Sequence, residues 1–158
     1  MSSNQSDFVS TEVKKIIEDA SFEKPLNYAM ASAWICGNLK GVNLKVLDVS
    51  HLSSLSDYFV FASATNSTQA NAMIETIQRQ LKKHGLKVLS KEGDAESDWT
   101  LLDMGDVIVH IFLDVSRQIY DLDSLWVKAK NIEIPNDYYF SEPESAGDTK
   151  NKDDIDYF

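Results

Sequence analysis

Cysteine, glycine, proline and basic residues are all scarce in this chain of 158 residues. The single cysteine, Cys36, allows no disulfide within the chain and no cysteine-rich zinc site, which fits a reducing compartment. Six glycines, none of them clustered, leave no G-x-x-x-x-G-K-[ST] and no G-x-G-x-x-G, so the usual phosphate cradles are missing. Lys plus Arg is 15 against 25 Asp plus Glu, a formal net charge of −10. That balance excludes a broadly basic surface for gripping nucleic-acid phosphates. No apolar run reaches the roughly 18–20 residues needed to cross a bilayer. Met1 to Ser10 carries Asp7 and no Lys or Arg, unlike a secretory signal or an Arg-rich transit peptide. A cytoplasmic protein without membrane contact is therefore expected.

What is present is an ordinary globular composition, 43% hydrophobic and 25% charged, at a length that predicts one domain. Residues 1–24 read as an extension, in which Val9, Val13, Ile16 and Ile17 at helical spacing predict a short amphipathic helix. From Pro135 to Phe158 there are seven acids and two lysines, half of the net charge. With Pro143, Gly147 and several Ser and Asn, residues 131–158 read as an acidic, disordered tail. Its aromatics Tyr138, Tyr139, Phe140, Tyr157 and Phe158 are read as local packing, or alternatively as a docking peptide.

Between these ends, over 25–130, the pattern alternates. Pro25 stands where a helix can begin, Leu26 to Leu39 is Ala-rich with helical period, and Gly41 breaks it. Leu44 to Val49 and Tyr58 to Ala62 predict strands, the second apolar on both faces and so central. Asn66-Ser67-Thr68 supplies an N-cap for a helix reaching His84, with Gly85 at its end. Leu86 to Lys91, Trp99 to Met104 and Val107 to Leu113 predict three more strands, the last two joined by a tight turn at Gly105-Asp106. Val115 to Ala129 predicts a closing helix that carries Ile119, Leu122, Leu125 and Trp126, with Leu122 and Trp126 as its core stripe. The fold class is α/β, a mixed sheet of about five strands with helices packed on it.

Few residues are placed for chemistry. Ser53 to Asp57, serines beside an acid at a strand entrance, is similar to the active-site loop of nucleotidyltransferases. That chemistry needs two or three carboxylates converging on metal ions, and the position two residues on is Phe59. A lone Asp57 is expected to cap the strand. Asp106 and His110 differ by an even number and fall on one side if the strand starts at Asp106. A metal site there would need a third ligand and an orienting second shell, so a hydrogen-bonded polar face around Asp103, Asp106 and His110 is expected. Cys36, among Ala33, Trp34, Ile35 and Leu39, is expected to be a core thiol. No cofactor or metal is assigned.

Binding features are better represented. Trp99 opens a strand after an acidic loop, and Trp is a common interface anchor. Leu101 follows on the same strand, Asp103 and Asp106 can meet a partner's cations, and Tyr120 falls off the inward stripe of its helix. An acidic domain suits a basic partner, which it meets faster by long-range attraction.

These segments together resemble the ribosomal silencing factor family, also called Iojap or RsfS. The run LKVLDVSHLSSLSDYFVFASATNSTQANAM is similar to its first half. The more diagnostic stretch is D-W-x-x-x-D-x-G-D-[VI]-[VI]-V-H followed by R-x-x-Y-x-L-x-x-L-W. It is matched by Asp98, Trp99, Asp103, Gly105, Asp106, Val107, Ile108, Val109 and His110, then Arg117, Tyr120, Leu122, Leu125 and Trp126. The resemblance covers about Pro25 to Val127. It implies a nucleotidyltransferase-like fold without the catalytic carboxylates, hence no enzyme. It also implies binding to the large ribosomal subunit through a basic protein, L-fourteen, with steric block of subunit joining and repression of translation. Organellar relatives imply the alternative of large-subunit assembly or recruitment of other factors; a divergent nucleotidyltransferase and an interaction module with no ribosomal link are further alternatives. The resemblance allows a homodimer. On this reading Trp99, Leu101, Asp103, Asp106 and Tyr120 face the partner, little nucleic acid is contacted directly, and Asp57, Gly105, His110, Arg117, Leu122, Leu125 and Trp126 hold the motif's structure.

Overall fold

A computed structural model describes residues 3–94 and 96–139. Five helical segments and six strands follow in the order α1 (Ser3–Ile17), α2 (Leu26–Asn38), β1 (Val42–Asp48), β2 (Tyr58–Ala64), α3 (Ser67–Lys82), β3 (Ser90–Glu92), β4 (Trp99–Asp103), β5 (Val107–Leu113), α4 (Asp114–Tyr120), the single turn α5 (Leu122–Leu125) and β6 (Lys130–Ile132). A 3-10 turn, Asn136–Tyr138, closes the described chain. The strands form one mixed sheet in the order β3-β4-β5-β2-β1-β6. Only β2 and β5, at its centre, run parallel.

Helices α2 and α3 cover one face of this sheet, and α1 packs on α2. Helix α2 is apolar nearly all round, with every residue from Asn27 to Gly37 buried, as a helix wedged between other elements must be. Helix α3 is amphipathic instead and turns Ala70, Met73, Ile74, Ile77 and Leu81 inward. Its first turn is capped as expected, Asn66 Oδ1 accepting the Gln69 backbone N–H at 2.8 Å. The extension folds as helix α1, which lays Val13 and Ile16 on α2. Strands β2 and β5 alternate, sending Val60, Ala62, Val109 and Ile111 to this side and Phe59, Phe61, Ile108, His110 and Phe112 to the other.

The structure departs from the sequence reading in three places. The sheet has six strands, because Lys130–Ile132 pairs antiparallel with β1. The expected tail thus begins inside a strand, and the chain beyond it buries Ile134 and Tyr138 in the helical core. Tyr138 lies so close to α2 that a Cβ on Gly37 would overlap its carbonyl oxygen. The remainder of the expected tail, 140–158, lies outside the described residues. The strand expected over 86–91 is confined to Ser90–Glu92, an exposed edge, while Leu86 and Val88 only lean on the core. Finally, the expected helix 115–129 breaks after Tyr120, where Asp121 adopts a left-handed conformation at φ 53°.

Candidate partner-binding face

The second face of the sheet is aromatic. Cross-strand register sets Trp99 opposite Phe112 and Leu101 opposite His110 on β4 and β5, and Phe61 opposite His110 on β2 and β5. Directly opposed residues share a face, so the side chains meet. Trp99 lies nearly parallel to Phe112, with centroids 5.5 Å apart and an interplanar angle of 20°. Tyr120, from the end of α4, tilts onto Trp99 at 5.0 Å and remains 42% exposed. Trp126 stands edge-on to Phe59 at 4.8 Å. Leu47, Val49, Ile108 and Ala129 complete the cluster, with Leu101, Leu122, Trp99 and Trp126 half-buried at its rim.

Two buried polar residues hold this cluster. His110 accepts a hydrogen bond at Nδ1 from the Trp99 indole N–H at 3.2 Å. Its Nε2 is buried and has no hydrogen-bond partner among the described residues. Burial away from water pushes the His110 pKa down to about 4, so the ring is neutral near pH 7. Arg117 is the second. Its guanidinium lies 5.6 Å from the Phe61 ring centre and 5.8 Å from that of Phe112. It donates to the Asn43 carbonyl at 2.6 Å, to Ser63 Oγ at 2.9 Å, and in bidentate fashion to Asp123 at 3.1 and 3.0 Å. Asp123 also receives Lys45 Nζ at 2.9 Å. Burial would raise the Asp123 pKa, but the Arg117 and Lys45 bonds outweigh it and hold it at about 2. That network ties the α4–α5 segment to the sheet.

At the opposite end of β4 from Trp99 stand the two acids of the β4–β5 turn. Asp103 Oδ1 accepts the Gly105 N–H at 2.9 Å, and Gly105 takes φ +89°, which makes the tight turn expected there. Asp106 is exposed, and its carbonyl accepts the backbone N–H groups of Asp57 and Tyr58, both at 3.0 Å. Neither carboxylate has an ion pair among the described residues. Strand β5 begins only at Val107. Asp106 therefore stays in the turn while His110 is buried against Trp99, and the expected polar face around Asp103, Asp106 and His110 is not one cluster. Among the described residues no group of three His, Cys, Asp or Glu side chains is arranged to hold a metal ion. Asp57 occupies the strand entrance, its backbone bonded to Val49 and to the Asp106 turn, and Phe59 is buried in the aromatic cluster.

The structure thus gathers Trp99, Leu101, His110, Leu122 and Trp126 into one cluster, joined to Tyr120 through Trp99 and to Arg117 through Phe61 and Phe112. It puts Asp103 and Asp106 at the end of the same strands. Leu125 is exposed, as are Val115, Ile119 and Val127. Sequence reasoning missed Asp123 and Lys45, the partners that fix Arg117, and gave no part to Phe61 and Phe112 beneath Trp99 and Arg117. Alternation in VIVHIFL and YFVFA is the signal that could have found the two phenylalanines.

Among known proteins, the family described as "Ribosomal silencing factor during starvation" matches residues 23–156. The ribosomal silencing factor RsfS of Chromobacterium violaceum is 35% identical over 89 residues, which is 56% of this chain and 73% of the relative. The chloroplastic protein Iojap of Zea mays is 36% identical over 115 residues, 71% of this chain and 49% of that longer protein. The mouse "Mitochondrial assembly of ribosomal large subunit protein 1" is 30% identical over 84 residues, 51% of this chain and 37% of its own length. A crystal structure of a Chromobacterium violaceum protein superposes with a TM-score of 0.63 at 31% identity, covering 66% of this chain and 88% of that one. No helix among the described residues is long and apolar enough to cross a membrane.

Proposed function

The chain belongs to the ribosomal silencing factor family, and on that premise we propose that it binds the large ribosomal subunit through a basic ribosomal protein and blocks subunit joining by occupying the joining surface. The observation that carries this reading is the aromatic face, where Tyr120 tilts onto Trp99 at the surface, with Asp103 and Asp106, two carboxylates without an ion pair among the described residues, at the far end of the same strands. A half-exposed Trp gives a partner a large, stiff contact with little rotamer entropy to lose. The two acids and the net charge of −10 favour a cationic protein surface over bare RNA. Inhibition by exclusion needs no chemical step, which fits a protein acting by binding and without catalysis, in the compartment where its ribosomes join.

Sedimentation of purified subunits tests it. The protein should migrate with the large subunit, and small subunits added afterwards should fail to form the joined particle. A second reading, assistance to large-subunit assembly, is favoured by likeness to the mouse protein whose name states that role. Binding to the large subunit without hindrance of joining would select it, and binding to neither subunit would sink both readings.

A further inference from the structure

His110 is the polar group that the docking face does not explain. It sits in the middle strand of an aromatic cluster, is 5% exposed, and leaves Nε2 without a hydrogen-bond partner among the described residues. A buried ring N–H without an acceptor costs on the order of 1–3 kcal/mol, so an apolar residue would fill the space at less cost. The compensating bond is on the other side of the ring, where Nδ1 accepts the Trp99 indole N–H at 3.2 Å. Indole nitrogen is a donor only, and Phe112, the other ring stacked on Trp99, offers it no lone pair. Stacking alone does not set which way the indole N–H points, since a χ2 flip keeps the ring stacked while turning that edge away. The hydrogen bond removes that freedom. The histidine is itself held, edge-on to Phe59 at 4.8 Å and to Phe61 at 5.1 Å, and stacked on Phe112 at 6.4 Å.

We propose that His110 is a positioning residue for the docking face, the buried acceptor that fixes the Trp99 indole against Phe112 and beneath Tyr120 before a partner arrives. Pre-set geometry raises affinity by removing the ordering cost from the binding step. This inference rests on the reading of Trp99 as an anchor, and the experiments separate the two.

The bond is read first, in the full-length, nitrogen-labelled protein. An N–H···N hydrogen bond transmits a nitrogen–nitrogen coupling, expected between Trp99 Nε1 and His110 Nδ1. Trp99→Phe identifies that indole signal among the three tryptophans. Absence of the coupling overturns the proposal without any variant needing to fold. Binding is read next, as affinity for large subunits. His110→Leu removes the acceptor and should weaken binding about tenfold while moving the Trp99 indole signal. His110→Asn, which keeps an acceptor oxygen near the same place, should recover most of the affinity. In a Trp99→Phe background, which has no indole donor, His110→Leu should cost little more. Equal losses in both backgrounds would make His110 a core residue only and overturn the role. If Trp99→Ala leaves affinity untouched, the docking face itself is wrong. The coupling would then persist in a protein whose binding ignores both residues, and the positioning role would fall with the face.

Discussion

On the helical side of the sheet, Val60, Ala62, Val109 and Ile111 are sealed beneath α2 and α3, with α1 packed on α2. On the other side, Phe59, Phe61, His110 and Phe112 lie beneath the short α4–α5 segment, while Trp99 and Trp126 stay half-buried. The first face is aliphatic and interchangeable in chemistry, closed by shape and by the removal of apolar area from water. The second depends on directed contacts, one Trp–His bond and one arginine with its carboxylate, and exposes large apolar side chains around them. Exposed apolar side chains of this kind suit the proposed role, a surface that a partner covers. On the proposed reading the two faces divide the work, stability on one and recognition on the other.

The largest test of that division is a cavity in the closed face. Ile74, buried on α3, should cost about 2–5 kcal/mol of stability when changed to alanine, read from denaturant unfolding. Affinity for large subunits, compared at matched folded fraction, should not change. A loss of affinity in the folded variant would break the comparison.

Acid should separate the faces next. His110 in the folded protein titrates at about 4, against 6.5 as its ordinary value. Between those two pH values the unfolded chain binds the proton and the folded one resists it. Stability is therefore fully present above pH 6.5 and falls as the pH drops toward 4, by on the order of 3 kcal/mol. Protonation also turns Nδ1 into a donor and ends the Trp99 bond. Unfolding free energies measured across this window should fall in the wild type and fall less in His110→Leu; parallel slopes would remove His110 as the source. Asp123, held at about 2, adds a smaller loss at still lower pH, from about 3.8 downward.

Much of this architecture was legible because its signals are local. Asn66 capped α3, Gly105 made the β4–β5 turn, and the alternation of YFVFA and VIVHIFL marked the central strands. The break after Tyr120 was not legible, since no Gly or Pro interrupts Val115 to Ala129. Its cause is distant. Six residues apart on an unbroken helix, Arg117 and Asp123 would point to different sides, yet they form a bidentate pair, so the chain must turn between them. The left-handed Asp121 makes that turn, and the anchors of Arg117 are Asn43 and Ser63, far back in the sequence. Strand β6 was hidden for a similar reason. Lys130 and Asn131 carry no strand signature, and pairing with β1 is a backbone matter. At the candidate site, Trp99 and Tyr120 could be picked out singly, but their contact depends on where that unforeseen turn places α4.

Trp99→Ala is the next test in size. It should weaken binding to the large subunit by about 2 kcal/mol, roughly thirtyfold, in titrations with purified subunits. The same change in Trp34, buried between α1 and the rest of the helical layer, should instead appear as lost stability. If the two exchanged effects, the assignment of recognition to the aromatic face would be reversed.

The smallest expected effect belongs to the rim. Asp106 is exposed and without an ion pair among the described residues, and Asp103 keeps its turn bond to Gly105 even as the amide. Asp106→Asn combined with Asp103→Asn therefore removes two charges with little change in shape. Exposed charges at a rim act mainly on the encounter, so the association rate with large subunits should drop and dissociation should hardly move. The loss should stay within about 1 kcal/mol at low salt. It should shrink as ionic strength approaches about 0.15 M, where screening acts over roughly 8 Å. Stopped-flow association measured over a salt series reads this directly. An identical salt slope in wild type and double variant would show that the partner presents no cation to these acids, leaving the aromatic face to act by shape and apolar area alone.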